Sequence, residues 1–486
     1  MKLSQNPWKK WGFQGNPFET TALSPNSKQL PLTKAFVGRS LDAPESKKLI
    51  DVISNPGGGR VVVEGDIGVG KTTLVNYHRY LWENDSDDLI LTPIREISVY
   101  QKWEAKHFLM DMIGHISNKL LLLIGYHKLK KNKLFDKVRF LHEIFYHDNV
   151  DIQGSLFGIG VAYNKSKQVS IPNMTESQLI SYLMDMVNEI KKIGYKGIFL
   201  HFDNLELLIQ NEIKKCQNFF EEIRDILQLP DIYYIFVAKS GFFSQVISPS
   251  ERVSSIMGWP IYVEPLTCQE VLDAINIRYK LLSNNGKYIK PVDEEFVSML
   301  YQFYGGKIRF IMDTLARVIL HKPLAVTLSC KKAEKTLSDM IKEKINFLTS
   351  KEREILFEAV NMRMFNNSDL SNKLKIKTSN ISRALTKFQQ KNLIYFVKQK
   401  GKKIYYNCLE ELKILAERKA PIQSKKKQRQ EKIIYYMKNN GILSSARCSQ
   451  IMKVSEPTAR RDLFELLQQN RVVKIAQGRK IYYDIK

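Results

Sequence analysis

Val61-Val62-Val63-Glu64-Gly65-Asp66-Ile67-Gly68-Val69-Gly70-Lys71-Thr72-Thr73-Leu74 decides the fold of this chain. A β-branched run breaks at Gly65 into a glycine-rich loop, and an amphipathic helix begins at Lys71. Glycines at 65, 68 and 70 let backbone N–H groups turn inward around phosphate oxygens, and Lys71 brings a point charge to the same oxygens. The Thr72 hydroxyl, at a helix N-terminus, is placed to ligate Mg²⁺. A Gly-rich turn ahead of a chance lysine is the plainer reading. A strand in front, a helix behind and every fixed position filled outweigh it. The expected nucleotide contacts are Gly65, Asp66, Gly68, Val69, Gly70, Lys71, Thr72 and Thr73, with ATP and Mg²⁺ as cofactors.

Downstream, Gly197-Ile198-Phe199-Leu200-His201-Phe202-Asp203 is a nearly continuous apolar run ending in an acid. Such a run suits a buried parallel strand, whose carboxyl end presents ligand-binding groups. Asp203 is expected to hold Mg²⁺ together with Thr72, and His201 to be a packed core histidine. A helix is predicted before it, from Ser177 to Ile193, and a further core strand after it, from Asp231 to Ser240. Upstream lie Trp11-Gly12-Phe13-Gln14-Gly15-Asn16-Pro17-Phe18 and Phe36-Val37-Gly38-Arg39. The aromatic side chains read as tacked onto a neighbouring core. Val37-Gly38-Arg39 reads as a cover for the nucleotide base, Gly38 allowing close backbone approach.

A Val-Gly-Arg box some 25 residues ahead of the phosphate loop resembles the start of AAA+ ATPases of the origin-recognition and archaeal-initiator type, and of the related STAND ATPases. The resemblance covers the chain from about Phe36 to its end. It implies an α/β P-loop NTPase core with an α-helical lid, followed by two winged helix-turn-helix domains. It implies a sensor at the end of the strand finishing at Lys239-Ser240, with Ser240 ahead of Lys239. It also implies an arginine finger, for which Arg252 is placed, acting on a neighbouring subunit. Gly305-Gly306-Lys307-Ile308-Arg309 is similar to the sensor-2 motif of the lid, which gives Arg309 to the γ-phosphate. The chain departs from the family directly after Asp203, where Asn204 stands in place of the usual Glu; an amide cannot be a general base. Glu206 or Glu64 takes over that role, or hydrolysis is slow and the protein is an ATP-loaded switch.

Beyond the core, helical spacing runs through Glu270 to Arg278 and Asp293 to Tyr304. The stretch from Gly154 to Pro172 alternates apolar with small or polar residues around Asn164-Lys165-Ser166 and reads as a β-hairpin within an insertion. Two segments then repeat the order helix, short helix, recognition helix, hairpin. In the first, Lys377-Thr378-Ser379-Asn380-Ile381-Ser382-Arg383 opens the recognition helix. Ser379, Asn380, Arg383 and Lys387 are expected to face DNA, with Lys402 and Lys403 in the wing. In the second, Ser455-Glu456-Pro457-Thr458-Ala459-Arg460-Arg461-Asp462-Leu463 resembles the recognition helix of the deoxyribose-operon-repressor type. Its expected DNA contacts are Ser455, Thr458, Arg460 and Arg461, with Arg479 and Lys480 at the wing tip.

The expected division is an N-terminal extension over 1–35 and a core over 36–265 with an insertion at about 100–175. A lid and connector over 266–345, a first winged helix over 346–418, a basic linker over 419–431 and a second winged helix over 432–486 follow. Charge agrees with this plan. Of the formal +25 in 486 residues, +19 falls after position 345, where 31 basic side chains face 12 acidic ones. That asymmetry points to a polyanion, with double-stranded DNA ahead of RNA or a membrane. Five scattered cysteines show neither disulfide nor zinc spacing, and no apolar run approaches membrane-spanning length. A cytoplasmic, non-membrane protein is expected that binds ATP and duplex DNA and self-associates in the ATP state. Two readings stay open: an ATPase acting as a switch or assembly factor on DNA, and a DNA-binding regulator that senses ATP with little or no hydrolysis.

Overall fold

The computed structural model describes residues 6–99, 103–125, 174–209, 212–321, 325–362, 364–401, 403–413, 429–430, 433–434, 436–437, 442–452, 454–468, 471–477 and 480–485. The hairpin expected over 154–172, most of the 100–175 insertion and of the 419–431 linker, and the side chains of Lys402, Arg479 and Lys480 lie outside what is described. The chain divides into two units, Met1–Glu334 and Lys335–Lys486.

The first unit is built on a six-stranded sheet in which every pairing is parallel. Its strands are β1 (Gly59–Gly65), β2 (Ile90–Leu91), β3 (Ile97–Ser98), β4 (Gly197–Asp203), β5 (Ile232–Lys239) and β6 (Ile261–Tyr262). The spatial order is β2, β4, β5, β1, β6, with β3 also pairing with β4. Strand β5 therefore separates the phosphate-loop strand from the strand ending in Asp203. β4 and β5 are apolar for most of their length, as suits strands packed on both faces. Alternate residues supply two cores. Val62, Leu200, Phe202, Tyr234 and Phe236 pack with the helices Ala105–Ile124, Glu176–Lys192 and Ile213–Glu222. Val61, Val63, Phe199, Tyr233 and Ile235 pack on the opposite side with Leu49, Ile53, Leu74 and Val75. Each fully buried side chain of this size contributes roughly 1.5–3 kcal/mol relative to exposure.

The predicted helix over Ser177–Ile193 is observed as Glu176–Lys192. Its start is fixed by a capping box, the Thr175 hydroxyl accepting from the Gln178 N–H while the Gln178 side chain accepts from the Thr175 N–H. The first lid helix, Cys268–Leu282, opens on the same device with Thr267 and Glu270. Glu294–Tyr304 and Ile308–Leu320 follow. The N-terminal extension belongs to this body. Trp8, Trp11, Phe13 and Phe18 are buried, Phe13 stacks on Tyr279 of the first lid helix, and the Gln14 N–H donates to the Leu282 carbonyl at 2.8 Å.

In the second unit, the helices Ser350–Asn361, Asn367–Leu374 and Thr378–Gln390 precede an antiparallel hairpin of β7 (Ile394–Lys400) and β8 (Lys403–Cys408). Phe365 bridges to Tyr406 of β8 and adds a backbone pairing beside the hairpin. Further on, β9 (Leu443–Ser444) leads into Ser445–Met452 and Glu456–Gln468, and then to β10 (Val472–Gln477) and β11 (Lys480–Ile485). Strand β11 pairs with both β10 and β9, closing a three-stranded wing sheet over Leu443, Cys448, Ala459, Leu463, Leu466 and Val472. No described helix is long and apolar enough to cross a membrane.

Candidate nucleotide-binding site and candidate nucleic-acid interface

The loop after β1 has the shape its glycines allow. Gly68 and Gly70 lie in the left-handed region with φ of +85° and +100°, and Gly70 precedes the helix Lys71–Asn84. A Cβ on Gly68 would sit 3.0 Å from the Arg309 Cβ, and one on Gly70 would sit 3.2 Å from an Arg39 guanidinium nitrogen. Space here is thus reserved from two sides. The Lys71 ammonium is folded onto its own loop, donating to the carbonyls of Gly65 and Asp66 at 2.9 Å each. Burial lowers its pKa, and the carboxylates of Glu206 and Asp203 oppose that shift. A partly desolvated ammonium among inward-turned N–H groups suits a polyphosphate.

Thr72 and Asp203 meet although 131 residues apart, the Thr72 hydroxyl donating to a carboxylate oxygen of Asp203 at 2.8 Å. The sheet makes this contact possible by ending β4 beside the start of the phosphate-loop helix. Burial raises the Asp203 pKa, while the Thr72 hydroxyl and the Asn204 N–H, at 2.8 Å, pull it down. A hydroxyl and a carboxylate are the hard oxygen donors that Mg²⁺ takes, so the pair fits that ion.

The cleft around these groups is lined by phosphate-loop residues 67–73, Asp203, Asn204, Glu206, Val37, Arg39, Ile308 and Arg309. Glu206 opens a short helix, Glu206–Ile209, on the Lys71 side. Asn204 has a φ of +64°, a left-handed backbone that Asn tolerates better than Glu, which gives a local reason for the departure noted above. Glu64 is removed from the candidates for general base. Fully buried, it accepts from the N–H groups of Gly241 (3.1 Å) and Phe243, so both oxygens cap the turn after β5.

Other expected residues are placed differently. Arg39 lines the cleft but its guanidinium is bonded within the protein. It is 3% exposed, donates to the carbonyls of Val69 (2.9 Å) and Glu264 (2.7 Å), and pairs with Glu45 at 3.0 Å. Burial lowers its pKa and the Glu45 carboxylate counters. It is a strut under the phosphate loop. Gly38, with φ +84°, packs against Leu266 and Glu270. Ser240 stands outside the cleft lining, its hydroxyl donating to Asp66 at 3.3 Å. Arg252 is exposed on the helix Glu251–Ser254 and does not line the cleft.

Sequence reasoning missed the segment 19–23, which lines the cleft beside Phe36. It is held by long-range bonds. Arg278 donates to the Glu19 carbonyl at 2.6 Å, the Leu23 N–H donates to Thr73 at 3.3 Å, and the Asn76 amide donates to the Leu23 carbonyl at 2.9 Å. The aromatic run ahead of it was the one available signal.

On the first recognition helix, Ser379, Asn380, Ser382 and Arg383 are exposed, as is Lys403 at the start of β8. Lys387 is half-buried: its ammonium bonds both oxygens of Glu352 at 2.9 Å and lies 5.4 Å from the Phe347 ring, so it ties its helix to a neighbour. On the second recognition helix, Ser455, Arg460 and Arg461 are exposed and Thr458 is half-buried, its hydroxyl 2.8 Å from that of Ser455. Arg460 reaches back to Glu456 at 2.8 Å. Asp462 points the other way, buried and bonded by the Arg429 guanidinium at 2.6 and 3.2 Å.

Residues 429–482 match the family model of the DeoR-like helix-turn-helix domain. Among solved structures, the chain is similar to the Aeropyrum pernix ORC1 protein in complex with DNA, at 12% identity over 79% of this chain and 94% of that one, TM-score 0.38. It is similar to the Aeropyrum pernix ORC2 protein in its ADPNP–ADP complexes, at 12% identity over 84% and 98%, TM-score 0.40. It is also similar to Cdc6p of Pyrobaculum aerophilum, at 14% identity over 78% and 94%, TM-score 0.37. No curated protein sequence matches. The first unit is thus a parallel α/β sheet with its cleft at the phosphate loop, and residues 429–482 of the second carry a DeoR-like helix-turn-helix domain.

Proposed function

We propose that the chain is an ATP-dependent DNA-binding AAA+ ATPase that acts as a nucleotide-controlled switch or assembly factor on double-stranded DNA. The observation that carries the nucleotide half is the Thr72–Asp203 contact beside the Lys71 ammonium, three groups from two separate segments converging on one loop. Bound Mg²⁺ would supply charge neutralisation at the polyphosphate, held by Thr72 and Asp203. Lys71 and the N–H groups from Gly68 to Thr73 bind and orient the phosphates. Glu206, a cleft carboxylate close enough to Lys71 to act on its charge, takes a proton from water. Arg309 meets the γ-phosphate from the lid, and Arg252, exposed away from its own cleft, acts on a neighbouring copy. The DNA half rests on the DeoR-like match and the charge of the C-terminal third.

The alternative is a regulator that senses ATP with little or no hydrolysis. Asn204 favours it, because the residue after the metal acid has no basic oxygen to offer water. Equilibrium binding of a fluorescent ATP analogue, with steady-state turnover measured with and without duplex DNA, tests both. Lys71→Ala is expected to weaken nucleotide binding at least a hundredfold. Turnover abolished by Glu206→Gln supports the ATPase; tight ATP binding without turnover supports the regulator; no binding by the native chain removes both.

A further inference from the structure

Asp66 is out of place in a loop built to receive a polyanion. It follows Gly65 directly, its side chain is 54% exposed, and two groups hold it: the Lys307 ammonium at 3.2 Å and the Ser240 hydroxyl at 3.3 Å. Lys307 comes from the lid, one residue ahead of the helix Ile308–Leu320. The lid start is also docked on the loop by backbone, the Arg309 N–H donating to the Gly68 carbonyl at 3.2 Å. Ser240 is fixed from behind, its N–H donating to the Gly65 carbonyl at 3.2 Å while Glu64 caps the turn at Gly241 and Phe243. One short network thus joins the phosphate loop, the end of β5 and the lid, with Asp66 at its centre.

We propose that Asp66 makes polyphosphate binding conditional on a docked lid, and that Lys307 is the positioning residue that meets the condition. The inference rests on the nucleotide reading above. With the lid away, the Asp66 carboxylate loses the Lys307 ammonium, competes with the ligand for Lys71 and adds negative charge beside the phosphate site. With the lid docked, Lys307 cancels it and Arg309 arrives with the same helix. Binding and docking then favour each other by the same factor, as linkage requires. Lys307 acts through Asp66 here, not on the phosphate, and that distinction can be measured.

The full-length chain is titrated with ADP and with a non-hydrolysable ATP analogue by calorimetry. Lys307→Gln is expected to weaken binding about three- to fivefold, the range of a partly exposed charge pair that couples two events. Lys307→Arg, which keeps the charge, is expected to bind as the native chain does, and a melting curve shows that each variant is folded. Asp66→Asn is expected to bind at least as tightly as the native chain, and the double variant Asp66→Asn/Lys307→Gln to bind like Asp66→Asn alone. Hydrogen exchange at the Arg309 amide, expected to quicken in Lys307→Gln, reports the lid directly. A Lys307→Gln loss that persists in full in the Asp66→Asn background would show direct phosphate contact and overturn the proposal. No loss in the single variant would make the pair an idle surface contact and overturn it too. Both of those outcomes leave the nucleotide reading standing, whereas a native chain that binds neither nucleotide overturns the two together.

Discussion

The unit that holds the phosphate loop and the unit that follows it carry their charged side chains in opposite ways. Around the loop, Arg39, Lys71 and Arg278 are buried or half-buried and each is held by more than one partner: Arg39 by two carbonyls and a carboxylate, Lys71 by two carbonyls, Arg278 by the carbonyls of Pro17 and Glu19. On the recognition helices, Arg383 and Arg461 stand in solvent. A buried charge is costly unless it is fully bonded, so in the first unit the binding site and the fold share the same bonds. In the second, exposed side chains such as Arg383 and Arg461 can be removed with little effect on folding. Substitutions in the two units are therefore expected to separate into those that lower stability and binding together and those that lower binding alone.

The largest effect is expected at Arg39. Truncation to Ala leaves the Glu45 carboxylate and the Val69 and Glu264 carbonyls without their donor. Breaking a buried pair in this way costs about 3–5 kcal/mol. Urea unfolding should show the loss, and nucleotide affinity should fall with it because Val69 belongs to the loop. Near-native stability with weakened nucleotide binding would return Arg39 to the role of base cover and break the contrast.

Next come two buried groups of the first unit whose pH slopes oppose each other. Burial holds His78 at about 4, below its ordinary value, and both its ring nitrogens lack partners. The unfolded chain takes up that proton first as pH falls below about 6.5. Stability from neutral His78 is thus present above that pH and lost toward pH 4, by on the order of 3 kcal/mol. His201, its pKa lowered well below the ordinary value by burial and by Arg79, adds the same sign. Asp111, bonded by the Trp103 indole N–H at 2.6 Å, is pushed by burial up to about 7. Its stabilising protonated form is lost as pH rises from about 4 to 7, a comparable amount in the other direction. Because His201, and His115, which burial also holds at about 4, keep the rising sign in both variants, stability measured by urea from pH 4.5 to 7 should rise with pH more steeply than native in Asp111→Asn and less steeply than native in His78→Leu. Parallel slopes in the two variants would show that neither group titrates out of a buried site.

Much of this was legible because it is local. The phosphate loop, the acid ending β4, the helix starts and both recognition helices are written in consecutive residues, and their apolar periods place them on strand or helix. What escaped reading has partners far away in sequence. Glu264 lies 225 residues from Arg39, Gly241 lies 177 from Glu64, and Glu19 lies 259 from Arg278. No periodicity reveals whether a charged residue faces solvent or a distant carbonyl. Asn204 shows the reverse case: the residue was noticed as a departure from a family, while its left-handed backbone supplied the physical reason.

A smaller effect belongs to the exposed recognition residues. Arg461→Ala and Arg383→Ala are each expected to weaken duplex binding by about 1 kcal/mol and to lower the salt slope by about one if the contact is to phosphate. Unfolding free energy should stay within about 0.5 kcal/mol of native. A parallel loss of stability would show that these side chains, like Arg39, are structural.

Lys387 gives the smallest effect and the sharpest test, because it sits on a recognition helix yet is bonded like a residue of the other unit. Its pairing with Glu352 holds that carboxylate below the usual range, the Lys387 hydrogen bond being the largest cause. Glu352 also caps the helix Ser350–Asn361 through the Thr349 N–H at 2.8 Å, so the ammonium steadies a helix start. Lys387→Ala should leave duplex affinity within about twofold while costing roughly 0.2–1 kcal/mol of stability, the range of a partly exposed pair. Since the Glu352 pKa is depressed by folding, that contribution is present at neutral pH and lost as pH falls through the folded carboxylate's titration. Native and variant stabilities should therefore converge in acid. A loss of DNA affinity as large as that of Arg383→Ala, with no such convergence, would place Lys387 on the DNA face and make the recognition helix charged toward its ligand along its whole length.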